Sequence, residues 1–107
     1  MRARTLFFIG LCALAVSATA AALSPARQAE LRSLVHQDCG SCHGMRLTGG
    51  LGPALTPQAL QDKSRDVLFA TIRDGRPGTP MPPWRPLLSR QEIDWIVDYL
   101  KSGGATP

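Results

Sequence analysis

The sequence has no internal repeat and no low-complexity segment, so nothing in its 107 residues points beyond a single domain. It also lacks a cluster of basic residues of the kind that marks a nucleic-acid footprint. The formal charge is +4, but Arg2 and Arg4 supply half of it. From residue 21 onward ten Lys/Arg face eight Asp/Glu. No nucleic-acid partner is expected. Long hydrophobic runs are missing too: the stretch Leu6 to Val16 falls short of the roughly 20 apolar residues that a membrane-spanning helix needs. Cysteine is scarce, with Cys12, Cys39 and Cys42 alone. No second Cys/His pair follows Cys39 and Cys42, which argues against a four-ligand zinc site. No βαβ pattern surrounds them, which argues against a thioredoxin-like redox pair.

The first 22 residues read as an export signal. Arg2 and Arg4 form a positive start, the apolar run follows, and Ser17 to Ala22 are small residues suited to cleavage after Ala20 or Ala22. Cys12 would leave with this segment. Leu11 stands before it where a lipid-attachment site would have a small residue. The mature domain would then span residues 23–107, reside in the periplasm, carry no membrane span and keep no cysteine for a disulfide beyond the pair at 39 and 42.

Helical signals dominate that domain. Ser24-Pro25 reads as a cap and first helical residue, and Leu31, Leu34 and Val35 recur at helical spacing up to Asp38. Residues 44–55 hold four glycines and a proline and read as loop. Thr56-Pro57 opens a short helix near Gln58–Gln61. Ser64 caps another that carries Leu68, Phe69 and Ile72, read as plain core, and Gly75 stops it. Residues 76–86 are proline-rich and irregular, a stiff mount for Met81. Ser89 and Glu92 form a capping box, with Leu88 and Ile93 as its hydrophobic staple. Ile93, Ile96, Val97 and Leu100 then make one apolar stripe, with Trp95 and Tyr99 beside it. Gly103-Gly104 ends this helix, and the tail is expected to fray.

The chain is organised around Cys39-Gly40-Ser41-Cys42-His43. Two thiols three residues apart with a histidine directly after them match covalent c-type haem attachment. Each thiol adds across one haem vinyl to give a thioether, and His43 is held beneath the porphyrin to bind iron. The candidates for the other axial position are Met45, Met81, His36 or none. Met45 follows His43 too closely to reach the opposite face, and His36 reads as a solvated surface residue. Met81 is the ligand we expect. A soft thioether favours ferrous iron and raises the reduction potential, which suits a one-electron carrier; an open position would suit a gas sensor or a small peroxidase. The free ring N–H of His43 needs an acceptor, and the carbonyl of Pro53 is our candidate. Trp84, Tyr99 and Arg46 are candidates for the propionates, and Arg46, Arg76 and Arg85 for charges around an exposed haem edge. A domain this small needs a staple, and haem would be it, so the haem-free chain should fold poorly.

Four pieces together resemble the class I mono-haem cytochromes c: Cys39 to His43, the Gly52-Pro53 pair, the loop from Gly75 to Met81-Pro82, and the last helix ending Tyr99-Leu100. They occur in the family's order and cover essentially the whole mature chain. The resemblance implies an all-α fold of about four short helices around one covalent haem c, the first and last helices crossing. It also implies His43 and Met81 as axial ligands and Pro53 as the histidine's acceptor. Leu31 and Val35 stand where many members have glycine and an aromatic residue, which leaves the separation and angle of the crossing open. The run Asp38 to Leu55, followed by Gly78 to Trp84, is similar to the small periplasmic cytochromes encoded with the haem c/haem d nitrite reductase of denitrifiers. That resemblance implies a carrier that delivers electrons to nitrite reductase, or a factor that acts while haem d is made and inserted. Filled axial positions suit a carrier rather than an enzyme, and a monomer is expected.

Overall fold

The computed structural model describes residues 21–106, together with Ala15. The expected export signal, apart from Ala15, Ala21 and Ala22, lies outside the described residues. Within them the fold is all-helical and no strand forms.

Helix α1, Pro25–Leu34, starts where the sequence says it should. Ser24 Oγ accepts from Arg27 N at 3.1 Å, and Pro25 occupies a first-turn position whose missing N–H has no partner to lose. Its end differs from expectation. The chain does not leave the helix at Asp38 but runs on through a π-helical turn, Val35–Cys39, into α2, Gly40–His43. A π turn takes one residue more than an α turn, so it re-aims every side chain that follows. The two cysteines and His43 are thus set at an angle that α1 alone would not give them. Gly44, at φ 93°, ends the run.

Helix α3, Pro57–Leu60, is capped by Thr56, whose Oγ1 accepts from Ala59 N at 3.2 Å. Helix α4, Arg65–Asp74, is capped by Ser64 and stopped by Gly75 at φ 68°. Helix α5, Arg90–Lys101, carries the full capping box: Ser89 N donates to Glu92 Oε2 at 2.8 Å and Glu92 N donates to Ser89 Oγ at 3.2 Å. Leu88 and Ile93, the staple pair, are both buried.

The core forms where α1 meets α5. Leu31 and Val35 are fully buried with Ile93, Ile96 and Val97, so the unusual residues at the crossing fill it as aliphatic packing. Three side-chain contacts advance in step along α5 and along α1 with its π turn. Arg27 Nε donates to Glu92 Oε1 at 2.6 Å, the Arg32 guanidinium lies over the Trp95 ring, and His36 Nε2 stands 3.3 Å from Tyr99 Oη. Leu47, which the loop reading passed over, is also fully buried, at the cost of a positive φ of 58°. The tail does not fray. Gly104 N donates to Tyr99 O at 3.1 Å and Ala105 is buried in the core. Lys101 Nζ donates to Leu60 O and Lys63 O at 3.0 and 2.6 Å, which ties α5 to the end of α3.

Candidate functional site

One wall of the core is hollow. A cavity of about 940 Å³ opens between the helices, lined mostly by apolar side chains. Leu60, Leu88, Ile96 and Leu100 belong both to the core and to this lining. Helix α5 therefore has two apolar faces: Ile93 and Val97 belong to the core away from the cavity, while Ile96 and Leu100 border it. Helix α4 explains itself the same way. None of its residues is fully buried, because Leu68 and Ile72 face the cavity. Leu68, Phe69 and Ile72 pack against the core as expected, and Leu68 and Ile72 line the cavity as well. Phe69 is not part of the lining; the guanidinium groups of Arg73 and Arg90 lie 5.5 and 5.1 Å from its ring centre.

The helical run from α1 brings Cys39, Cys42 and His43 to this cavity, and the proline-rich loop brings Met81 to it. Both cysteines are half-buried free thiols. Burial first, and the negative charge of Asp38 second, push the Cys39 thiol up to about 11. His43 Nδ1 lies 2.6 Å from Pro53 O. As the donor in that bond, Nδ1 leaves Nε2 without a proton and able to bind a metal.

The loop after His43 is wound around the end of α2. Gly49 N donates to His43 O at 2.8 Å and Gly52 N to Cys42 O at 2.7 Å, which satisfies two carbonyls a helix end leaves over. Gly52 then passes so near the imidazole that a Cβ there would sit 2.8 Å from His43 Nδ1. The imidazole of His43 is thus the flat group against which Gly52 lies. On the other side of the cavity, Gly75 supports the Met81 loop, and a Cβ there would meet Met81 O at 2.6 Å. Trp84 N donates to Ile72 O at 3.0 Å and fixes the loop's far end to α4.

The remaining sequence candidates separate. His36, read as solvated, is half-buried against Tyr99; it lines a second groove of about 310 Å³ with Met45 and Arg46, away from His43. Of the residues considered for the propionates, Trp84 lines the main cavity while Tyr99 and Arg46 do not. Of the expected rim arginines only Arg76 does, joined by Lys63. Two large apolar residues of the lining are exposed, Leu51 at 79% and Val67 at 54%. Two thiols, an imidazole and a thioether around an apolar cavity are the donor set that a covalently bound haem takes, and the cavity volume lies within the range of small-ligand sites, about 300–1,000 Å³.

Fold and site together define a c-type cytochrome domain, and comparison with known proteins bears this out. The family model described as "Cytochrome C oxidase, cbb3-type, subunit III" matches residues 26–100. The chain belongs to this family of c-type cytochromes, whose members imply a covalently attached haem c. Within it, the chain is similar to the small cytochromes c55X. It is 63% identical over 81 residues to cytochrome c55X of Pseudomonas aeruginosa, an alignment that covers 76% of this chain and 68% of that protein. The solved structure of the c-type cytochrome NirC superposes with a TM-score of 0.77 at 60% identity, over 79% of this chain and all of that one. The dihydro-heme d1 dehydrogenase NirN, solved in complex with DHE, matches over 64% of this chain and 15% of its own, with a TM-score of 0.60 and 35% identity.

Proposed function

We propose that the protein is a periplasmic one-electron carrier with a single haem c, held by thioethers from Cys39 and Cys42 and by His43 and Met81 as axial ligands, and that nitrite reductase is its acceptor. One observation carries this reading: two thiols, His43 and Met81, from segments about forty residues apart, line the same apolar cavity. Haem c, when bound, supplies an iron that takes up and gives back one electron. The protein's own residues do the rest. The Pro53 carbonyl holds the proton on His43 Nδ1 and so keeps the ring in the tautomer and orientation a metal ligand needs. Met81, on a loop anchored at both ends, fills the position that a gas sensor or peroxidase would leave open. The apolar lining excludes water. Met81→Ala in the haem-loaded protein is expected to let the reduced form bind carbon monoxide and to lower the midpoint potential. Ready carbon monoxide binding by the unaltered protein would sink the carrier reading.

A second reading is favoured by the similarity to a domain of the dihydro-heme d1 dehydrogenase. A small cytochrome of this kind would exchange electrons during the making of haem d1 rather than feed the finished reductase. Nitrite reductase purified from a deletion strain and assayed with an artificial donor separates the two. Full haem d content and normal activity are expected for the donor role; a reductase lacking haem d would assign the maturation role instead.

A further inference from the structure

The loop that carries Met81 closes on itself. Arg76 N donates to Met81 O at 3.1 Å. In a directly paired turn the return bond would run from Met81 N to Arg76 O, as opposed residues in an antiparallel pair exchange both. Here the return is indirect. Met81 N donates to Thr79 Oγ1 at 3.3 Å, and Thr79 Oγ1 donates to Arg76 O at 2.6 Å. The hydroxyl stands between the two strands of the loop as a spacer one atom wide.

Met81 N–H is also the only backbone donor in residues 80–83, since Pro80, Pro82 and Pro83 have none. Whatever that single N–H binds sets the rotation of the Met81 peptide. Gly75 holds the other side, because the carbonyl of Met81 lies against it with no room for a Cβ. The peptide before Met81 is thus held by Thr79 and the one after it by Gly75 and Arg76.

We infer that Thr79 is a positioning residue for Met81: its hydroxyl, interposed between Met81 N and Arg76 O, fixes the direction in which the thioether enters the cavity. The inference rests on the reading of Met81 as an iron ligand. A threonine serves where serine would be looser, since its branched Cβ limits χ1 and its methyl keeps the hydroxyl turned to the backbone.

The test uses haem-loaded Thr79→Val, which keeps the shape and loses the hydroxyl, with Thr79→Ser and Met81→Ala beside it. Three properties are read: the iron–sulfur charge-transfer band of the ferric form, the fraction of ferrous protein that binds carbon monoxide, and the midpoint potential. Thr79→Val should weaken the band and raise the carbon monoxide-competent fraction about threefold to tenfold, in keeping with loss of one neutral hydrogen bond. Thr79→Ser should restore most of both. Thr79→Ala carries the same expectation if the valine variant does not accumulate. A valine variant with the band and carbon monoxide response of the unaltered protein would overturn the role, as would a serine variant that behaves like valine. If the unaltered protein lacks the band and matches Met81→Ala, methionine ligation fails and the role of Thr79 fails with it. A normal band in the unaltered protein that only Thr79 variants leave intact removes Thr79 alone.

Discussion

Gly52 and Pro53 act through their backbone. Pro53 offers a carbonyl to His43 Nδ1, and every residue has a carbonyl; what matters is that the chain passes within 2.6 Å of the ring at that point. Gly52 permits the approach, because any Cβ there collides with the imidazole. Gly52→Ala should therefore push the loop away and loosen the bond to His43. The expected cost is about 1–3 kcal/mol of stability for overpacking a filled site. A change in midpoint potential should accompany it, measured beside the melting temperature. An alanine variant with unchanged stability and potential would show that the loop gives way freely.

At the scale of the element, α5 shows how a helix start is made and how it responds to pH. Ser89 and Glu92 each satisfy one N–H of the first turn. Ser89→Ala should cost about 1 kcal/mol in denaturant unfolding. Glu92 has a further partner on α1. The hydrogen bond from Arg27, followed by that from Ser89 N, holds its carboxyl below the ordinary value of 4.5. A carboxylate whose folded pKa is depressed stabilises the fold above its unfolded pKa and loses that contribution as pH falls through the folded one. Stability should accordingly decline below about pH 4.5, and Glu92→Gln should flatten that acid limb while lowering stability at neutral pH. An acid limb as steep in the variant as in the unaltered protein would assign it to other carboxylates. Helix α4 shows a different rule. It is amphipathic and well capped, yet buries nothing completely, because its apolar face borders the cavity.

Seen whole, the molecule is a core with one wall left for a ligand. Leu60, Leu88, Ile96 and Leu100 pack with the core on one side and face the cavity on the other. Without a group in that cavity their outer surfaces meet water, and at roughly 25 cal/mol per Å² an exposed apolar wall is a large loss for so small a domain. The haem-free chain, made by replacing Cys39 and Cys42 with serine, should show low helical content by circular dichroism and no cooperative melt. The mouth of the same cavity bears on partners. Of the three arginines expected at its rim, Arg46 lies at a separate groove and only Arg76 lines the cavity, while Leu51 and Val67 stand exposed at the opening. Docking there should depend on apolar contact more than on steering charge. If nitrite reductase is the acceptor, as proposed above, Val67→Asp should slow electron exchange with it at high and low salt alike, whereas Arg46→Glu should leave the rate unchanged. Equal slowing by both would return the docking face to the arginines.

Local rules sufficed for much of this. The caps Ser24, Thr56, Ser64 and Ser89, the stop at Gly75 and the stripe on α5 are decided by neighbours a few residues away, and each stands in the structure as the sequence implies. The haem-attachment motif is local as well, being five consecutive residues. The π turn at Val35–Cys39 was not legible, because its composition matches any helix and only the demand to seat Leu31 and Val35 in the core while turning the cysteines to the cavity selects it. Leu47, the ordered tail at Ala105 and the displacement of Arg46 and Arg85 from the cavity wall were hidden for a related reason. Burial and direction depend on which segments come to lie against one another across the chain. The sequence by itself determined which residues can form helices and which can hold a haem. The tertiary structure alone decided which apolar faces close on each other and which stay open, since a leucine facing a cavity and a leucine facing a helix follow the same pattern of spacing.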